Sequence, residues 1–291
     1  MRERPASSRR PAYARLVLRI TDARTGHLVD AAPVRRGLTR VEAHTEGFDA
    51  TALRVMVVAD LLVRALELGG TPVWALLRAD RGRPELRAAA AALGVRPFED
   101  DRQPDPGLGE ARILHVVGED GAKPDGARVV VAAAVADGLT VLTAPDATDS
   151  TRNASGTGRE GPAAPASADP GAAPGATAPD PGALRLALLS HPRDTPVRLD
   201  PAAVTGAART LAHWRRAVAD WASTPSRPVP DAVRARLRSA WENDLDAVGV
   251  LDVLHDVEHA HGLPDGARFE TFAHADRLLG LELTRDLGTP A

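Results

Sequence analysis

From Pro145 to Gly182 the chain runs without a single Val, Ile, Leu, Met, Phe, Trp or Tyr. Pro, Ala, Gly, Ser, Thr and Asp dominate the stretch. It has nothing to bury against the conformational entropy that folding costs, so residues 145–182 are expected to be a disordered linker. The linker constrains everything else, because it splits the remaining residues into two separately patterned parts. Residues 15–144 alternate strand and helix signals, and residues 183–288 carry helix signals alone. Residues 1–14, "MRERPASSRRPAYA", read as a flexible N-terminus. They are basic but lack the apolar core of a signal peptide.

Composition matters here chiefly for what it excludes. The 291 residues contain no cysteine, which rules out disulfides, thiolate catalysis and any zinc site that needs sulfur. Of 36 basic residues only Lys123 is a lysine, so chemistry that uses several lysines is excluded as well. A net charge of −3 gives no electrostatic drive toward nucleic acid. No apolar run approaches the ~20 residues that span a bilayer. The expectation is a soluble cytoplasmic protein with no membrane partner.

In the first part, "RLVLRI" (15–20) reads as a strand followed by the turn "TDARTG". A polar turn, "GFDA", leads into an amphipathic helix over 51–68, with Leu53, Met56, Val57, Leu61 and Leu68 on one face. Gly69-Gly70 stops that helix rather than gripping a phosphate. "VWALL" (73–77) is a buried strand, and "PELRAAAAALG" (84–94) is a short helix between Pro84 and Gly94. "RILHVVG" (112–118), "RVVVAAAV" (128–135) and "LTVLTA" (139–144) are further strands whose continuous apolar character suits a sheet covered on both faces. In the second part Asp200 and Pro201 open a helix. Val204, Ala207, Leu211, Trp214, Val218 and Trp221 follow at alternating spacings of three and four, a seam for another helix. "PDAVRARLRSAWEN", "DLDAVGVLDVLHDVEHA" and "GARFETFAHADRLLG" complete a helical bundle expected to have its own core. The fold class is therefore α/β: a reduced Rossmann-like (HUP-type) parallel sheet layer followed by an α-helical bundle.

Two ordered stretches carry a family resemblance. "LVLRITDARTG" and "VEAHTEGFDATALRVMVVADLLVRALELGGTPV", over about 16–77, resemble the opening strand and first nucleotide-binding unit of the cysteinyl-tRNA synthetases. That class I group includes the related ligase joining cysteine to a glucosaminyl-inositol in mycothiol synthesis. "DPGALRLALLSHPRDTPVRLD" (180–200) resembles the segment after the family's KMSKS loop. "HWRRAVADWA", "WENDLDAVGVLDVL" and "GARFETFAHADRLLGLEL" continue the resemblance to the end. It covers about two-thirds of the chain in the same order, with no single diagnostic motif.

The departures from the family are chemical. The resemblance places an ATP-gripping HIGH tetrapeptide directly after "FDAT" (48–51), and it is absent here. The KMSKS lysines, which stabilise pentavalent phosphate charge, would fall just before Asp180, where there is no lysine. The family's zinc holds the substrate thiolate through Cys, His and Glu. Its first cysteine would stand at Ala43, and the shortened central segment offers only His115. No metal and no cofactor are expected, nor any catalytic residue. Since the chain also lacks an anticodon-reading domain, no tRNA or other nucleic acid is expected as a partner.

His44, Thr45, Asp49, Thr51 and Arg54 remain as a residual nucleotide crevice outside a strand end. Arg54, on the first turn of the helix, leaves room for weak ATP binding. The plainer account of the same residues is an ordinary turn, with Asp49 or Thr51 capping the helix. "HDVEHAH" (255–261) puts His255 and His259 on one helical face, with Glu258 and His261 nearby. This is a metal pattern without the HExxH order, and equally a solvated helix end. "SH" at 190–191 is adjacency rather than the geometry of a nucleophile and its base. The sequence reads as a truncated, degenerate relative acting as a pseudoenzyme, with a binding or regulatory role toward a small nucleotide or amino-acid ligand. Two alternatives stay open: a divergent ATP-dependent cysteine or amino-acid ligase, and a structural partner of an intact paralogue.

Overall fold

The protein, seen in a computed structural model, is described over residues 18–32, 37–100, 112–136 and 180–288. The expected strand 139–144 and nearly all of the expected linker lie outside those residues. Its last three residues do not. Asp180 caps a helix, α3 (Pro181–Leu189), by accepting from the Gly182 N–H at 2.8 Å, so the second part begins inside the stretch assigned to the linker.

The centre is a five-stranded, wholly parallel sheet formed by β3 (Thr39–Thr45), β4 (Val73–Ala79), β5 (Glu99–Asp100), β6 (Arg112–Gly118) and β7 (Ala127–Val131). Their spatial order is β5-β4-β3-β6-β7. The chain thus works outward in one direction from β3, returns, and works outward in the other from β6. This is the doubly wound order, whose switch point lies between β3 and β6. β3 is absent from the strand expectations, although its alternation is regular. Val41 and Ala43 are fully buried in the core, while Arg40, Glu42 and His44 take the opposite face.

The first expected strand is displaced. Residues 19–22 form β1 (Arg19–Asp22), which pairs antiparallel with β2 (His27–Asp30) in a separate hairpin turned through Gly26 at φ +70°. The expected strand 128–135 is also divided. After β7 the chain leaves the central sheet at Ala132–Ala133, and β8 (Ala134–Ala136) pairs with β9 (Val197–Leu199) from the second part.

α1 (Ala50–Leu68) packs on β3, but it is not amphipathic in the expected sense: fifteen of its nineteen residues are buried. The reason is position. One side lies on the sheet and another on α3 and α7 (Asp265–Leu279), so no broad face is left for water. α2 (Arg83–Ala92) packs on α1. α4 (Pro201–Trp221), α5 (Asp231–Glu242) and α6 (Ala247–His259) complete the bundle. The seam on α4 is as the spacing predicts. Val204, Leu211, Trp214 and Val218 are buried, and Phe272 of α7 meets both Trp214 and Trp221 edge to face. No helix among the described residues is long and apolar enough to cross a membrane.

The bundle does not keep a separate core. One continuous apolar cluster runs from Val41 and Leu62 through Leu184 to Phe272 and Leu279. Buried charges stitch the two parts together. Asp60 of α1 and Arg185 of α3, both fully buried, meet at 2.6 Å, and Arg185 also donates to the carbonyls of Leu279 and Leu93. Asp244 accepts from the Thr21 N–H and hydroxyl, each at 2.7 Å. This junction predicts that residues 1–144 and 180–291, co-expressed as two chains, will co-purify and co-elute on size exclusion. Two fragments that elute separately would show that the junction does not hold them.

Candidate functional site

The ends of β3, β4 and β6 open into a crevice of about 610 Å³ beside the switch point, where open α/β sheets bind their ligands. His44, Thr45, Asp49 and Thr51 all line it. Their roles differ from one another. Asp49 caps α1, accepting from the Ala52 N–H at 2.7 Å. Thr51 exchanges two bonds with the backbone of Ala134, tying β8 to the helix start. Thr45 is 8% exposed, and its hydroxyl has no hydrogen-bond partner among the described residues.

Arg54 is elsewhere. It is 1% exposed, and its guanidinium donates to the carbonyl oxygens of Pro192 (2.6 Å), Thr195 (2.7 Å), Ala132 (3.0 Å) and Ala133 (3.4 Å). It does not line the crevice. Its side chain joins the backbone at 132–133 to that at 192–195, so it is a rivet between parts rather than a phosphate contact.

The crevice is rich in carboxylates that the sequence reading did not assemble. Glu46 follows β3, Asp80 follows β4, and Glu119 with Asp120 follows β6; together with Asp49 they make five. The positive side chains are Arg78 and Arg83, and both are engaged. Arg78 donates to Glu42 at 2.7 Å, and Arg83 to Asp100 and to the Ala79 carbonyl. The α1 N-terminus, whose free N–H groups and positive dipole end would attract a phosphate, carries the Asp49 carboxylate instead. A pattern legible in the sequence marks this set: each of three parallel strands ends on an acidic residue.

Glu42, behind the crevice wall, is 2% exposed and is paired with both Arg40 and Arg78 at 2.7 Å. Burial opposes its ionisation, but His115, His44, Arg78 and Arg40 gathered around it outweigh burial and hold the carboxyl far below the usual range. Ala43, where the resemblance would put a zinc-binding cysteine, is fully buried in the apolar core on the opposite face of β3. The residues present there do not fit that zinc.

The other singled-out groups have local partners. Glu258 accepts from Trp214 Nε1 at 2.9 Å and bonds His213, while His259 Nδ1 bonds its own helix at the His255 carbonyl. The Ser190 hydroxyl donates to the Leu186 carbonyl. Neither stretch assembles a reactive site.

The chain is similar over part of its length to curated ligases. Over 75 residues it is 44% identical to the L-cysteine:1D-myo-inositol 2-amino-2-deoxy-alpha-D-glucopyranoside ligase of Catenulispora acidiphila, which is 26% of this chain and 17% of that protein. Over 108 residues it is 36% identical to the ligase of that name from Streptomyces avermitilis, and 38% identical to that from Streptosporangium roseum. Those stretches are 36% of this chain and 25% and 26% of the respective relatives. The chain thus matches about a quarter or less of the length of these relatives. No protein-family model matches it.

Proposed function

We propose that the protein is a non-catalytic relative of the cysteine ligases whose crevice binds a small, amine-bearing molecule. The observation that supports this reading is the crevice's polarity. Five carboxylates face it, against two guanidiniums already paired, and neither a lysine nor Arg54 is among its lining. A triphosphate would meet repulsion there, and stabilising charge on a transferring phosphorus needs donors aimed at it. An ammonium group meets the opposite. The relatives' name pairs an amino acid with an amino sugar, and both carry such an amine.

The test is thermal shift with D-glucosamine and L-cysteine, using D-glucose and ATP with magnesium as controls, alongside cysteine-dependent pyrophosphate exchange. Stabilisation by an amine, weakened in a Glu119→Gln/Asp120→Asn variant, with no exchange, is the expected outcome. Exchange above background, or ATP stabilising more than either amine, would replace this reading with that of a divergent ligase.

A further inference from the structure

The geometry points to a divalent transition-metal site formed by Glu42, His44 and His115, distinct from any zinc that the family resemblance implies. Glu42 and His44 stand two apart on β3 and so share a face, and the parallel register sets His115 of β6 directly beside Glu42. Three ligand atoms converge. His44 Nε2 lies 3.0 Å from His115 Nδ1, and Glu42 Oε2 lies 3.5 and 3.4 Å from those two nitrogens. The circle through these atoms has a radius of about 1.9 Å. An ion held at the ~2.0–2.1 Å of zinc–nitrogen and zinc–oxygen bonds therefore touches all three while lying just off their plane. Two imidazoles and one carboxylate on one side of an ion leave a position open, and they suit zinc or a neighbouring first-row dication.

The surroundings prepare the ligands. His115 Nε2 lies 3.0 Å from the Asp125 carbonyl oxygen, which can only accept, so that nitrogen carries a proton and Nδ1 is the atom turned toward the cluster. Glu42 stays ionised. Arg40 pairs with Oε1 and Arg78 with Oε2, and a carboxylate's ~4 lone-pair sites leave one on Oε2 for the ion. The same guanidiniums repel a cation, so the affinity is expected to be moderate. Of the three ligands only His44 also lines the crevice, and it is the side from which an ion enters. Ala43 points the other way, so none of these ligands is the cysteine that the resemblance would place there. The site does not depend on what the crevice binds.

Titration of the metal-free full chain with cobalt(II), followed by its visible absorption and then by displacement with zinc, tests the site. One ion per chain with an intense low-symmetry cobalt spectrum is expected. His44→Ala and His115→Ala should each lower affinity by more than ~100-fold, a larger loss than outer partners usually cause. Zinc should raise the melting temperature of the wild type, but not of His44→Ala, a change at a partly exposed position that should leave the fold intact. A His255→Ala/His259→Ala variant, lacking the exposed helical pair, should bind as the wild type does. Absence of the cobalt spectrum at saturation would overturn the site. So would full binding by a folded His44→Ala/His115→Ala chain.

Discussion

Replacing Asp60 by alanine is expected to destabilise the protein by about 3–5 kcal/mol, enough to remove much of a typical domain's stability. The cost arises from what is left behind. Arg185 is fully buried and, among the described residues, pairs with no other carboxylate, while Arg64 and Arg96 lose the same partner. Urea denaturation followed by far-UV circular dichroism measures it. An Asp60→Leu/Arg185→Met double variant should recover most of the loss, because removing both buried charges is far cheaper than orphaning one. The same group sets an acid limit. Burial opposes the Asp60 carboxylate, but the neighbouring Arg185 and Arg64 charges outweigh it and lower its pKa below the usual value. Its contribution is therefore complete above the unfolded-state value of about 3.9 and disappears as pH falls through the lower folded value. The wild type should lose stability in that window. A chain with Asp60→Leu/Arg185→Met should lose less.

Arg54→Ala should cost about 3 kcal/mol, because carbonyls of two segments, 132–133 and 192–195, lose this cationic donor at once. The change separates two roles. A phosphate-binding arginine on a helix's first turn would alter ligand affinity and leave stability nearly unchanged. A rivet does the reverse. Equilibrium unfolding and glucosamine binding, measured on the same variant at a temperature where it is folded, distinguish them. Unchanged stability would contradict the rivet.

Much of the architecture was legible because its signals were local. The strand 112–118 stands where its apolar run predicts, and the 3-4 spacing on α4 names its buried residues, including Trp214 at 1% exposure. The misses share a physical origin in partners distant along the chain. β3 hides because Arg40, Glu42 and His44 give it the composition of a loop; they are tolerable in a sheet only because they pair with Arg78 and His115 from neighbouring strands. α1 looks one-faced because its second covering comes from α3 and α7, far downstream. Arg54 resembles a phosphate contact until residues 192–195 arrive to occupy it. The crevice followed the same rule. Its polar turn was visible, whereas its charge required three strand ends to be brought together.

The burial of α1 on both sides has a consequence for synthesis. Asp60 waits for a partner 125 residues further along the chain, and Arg54 for acceptors 138 and 141 residues away. At the roughly 5–20 residues per second of translation, that interval lasts on the order of 6–30 s. Throughout it the emerging N-terminal part holds a helix with an uncovered apolar side, while Asp60 has only Arg64 and Arg96 of its final partners and Arg54 only the carbonyls of Ala132 and Ala133. Such a surface is what chaperones bind and what nascent chains aggregate through. The period before residue 195 leaves the ribosome is therefore the protein's most vulnerable, and slower translation lengthens it in direct proportion.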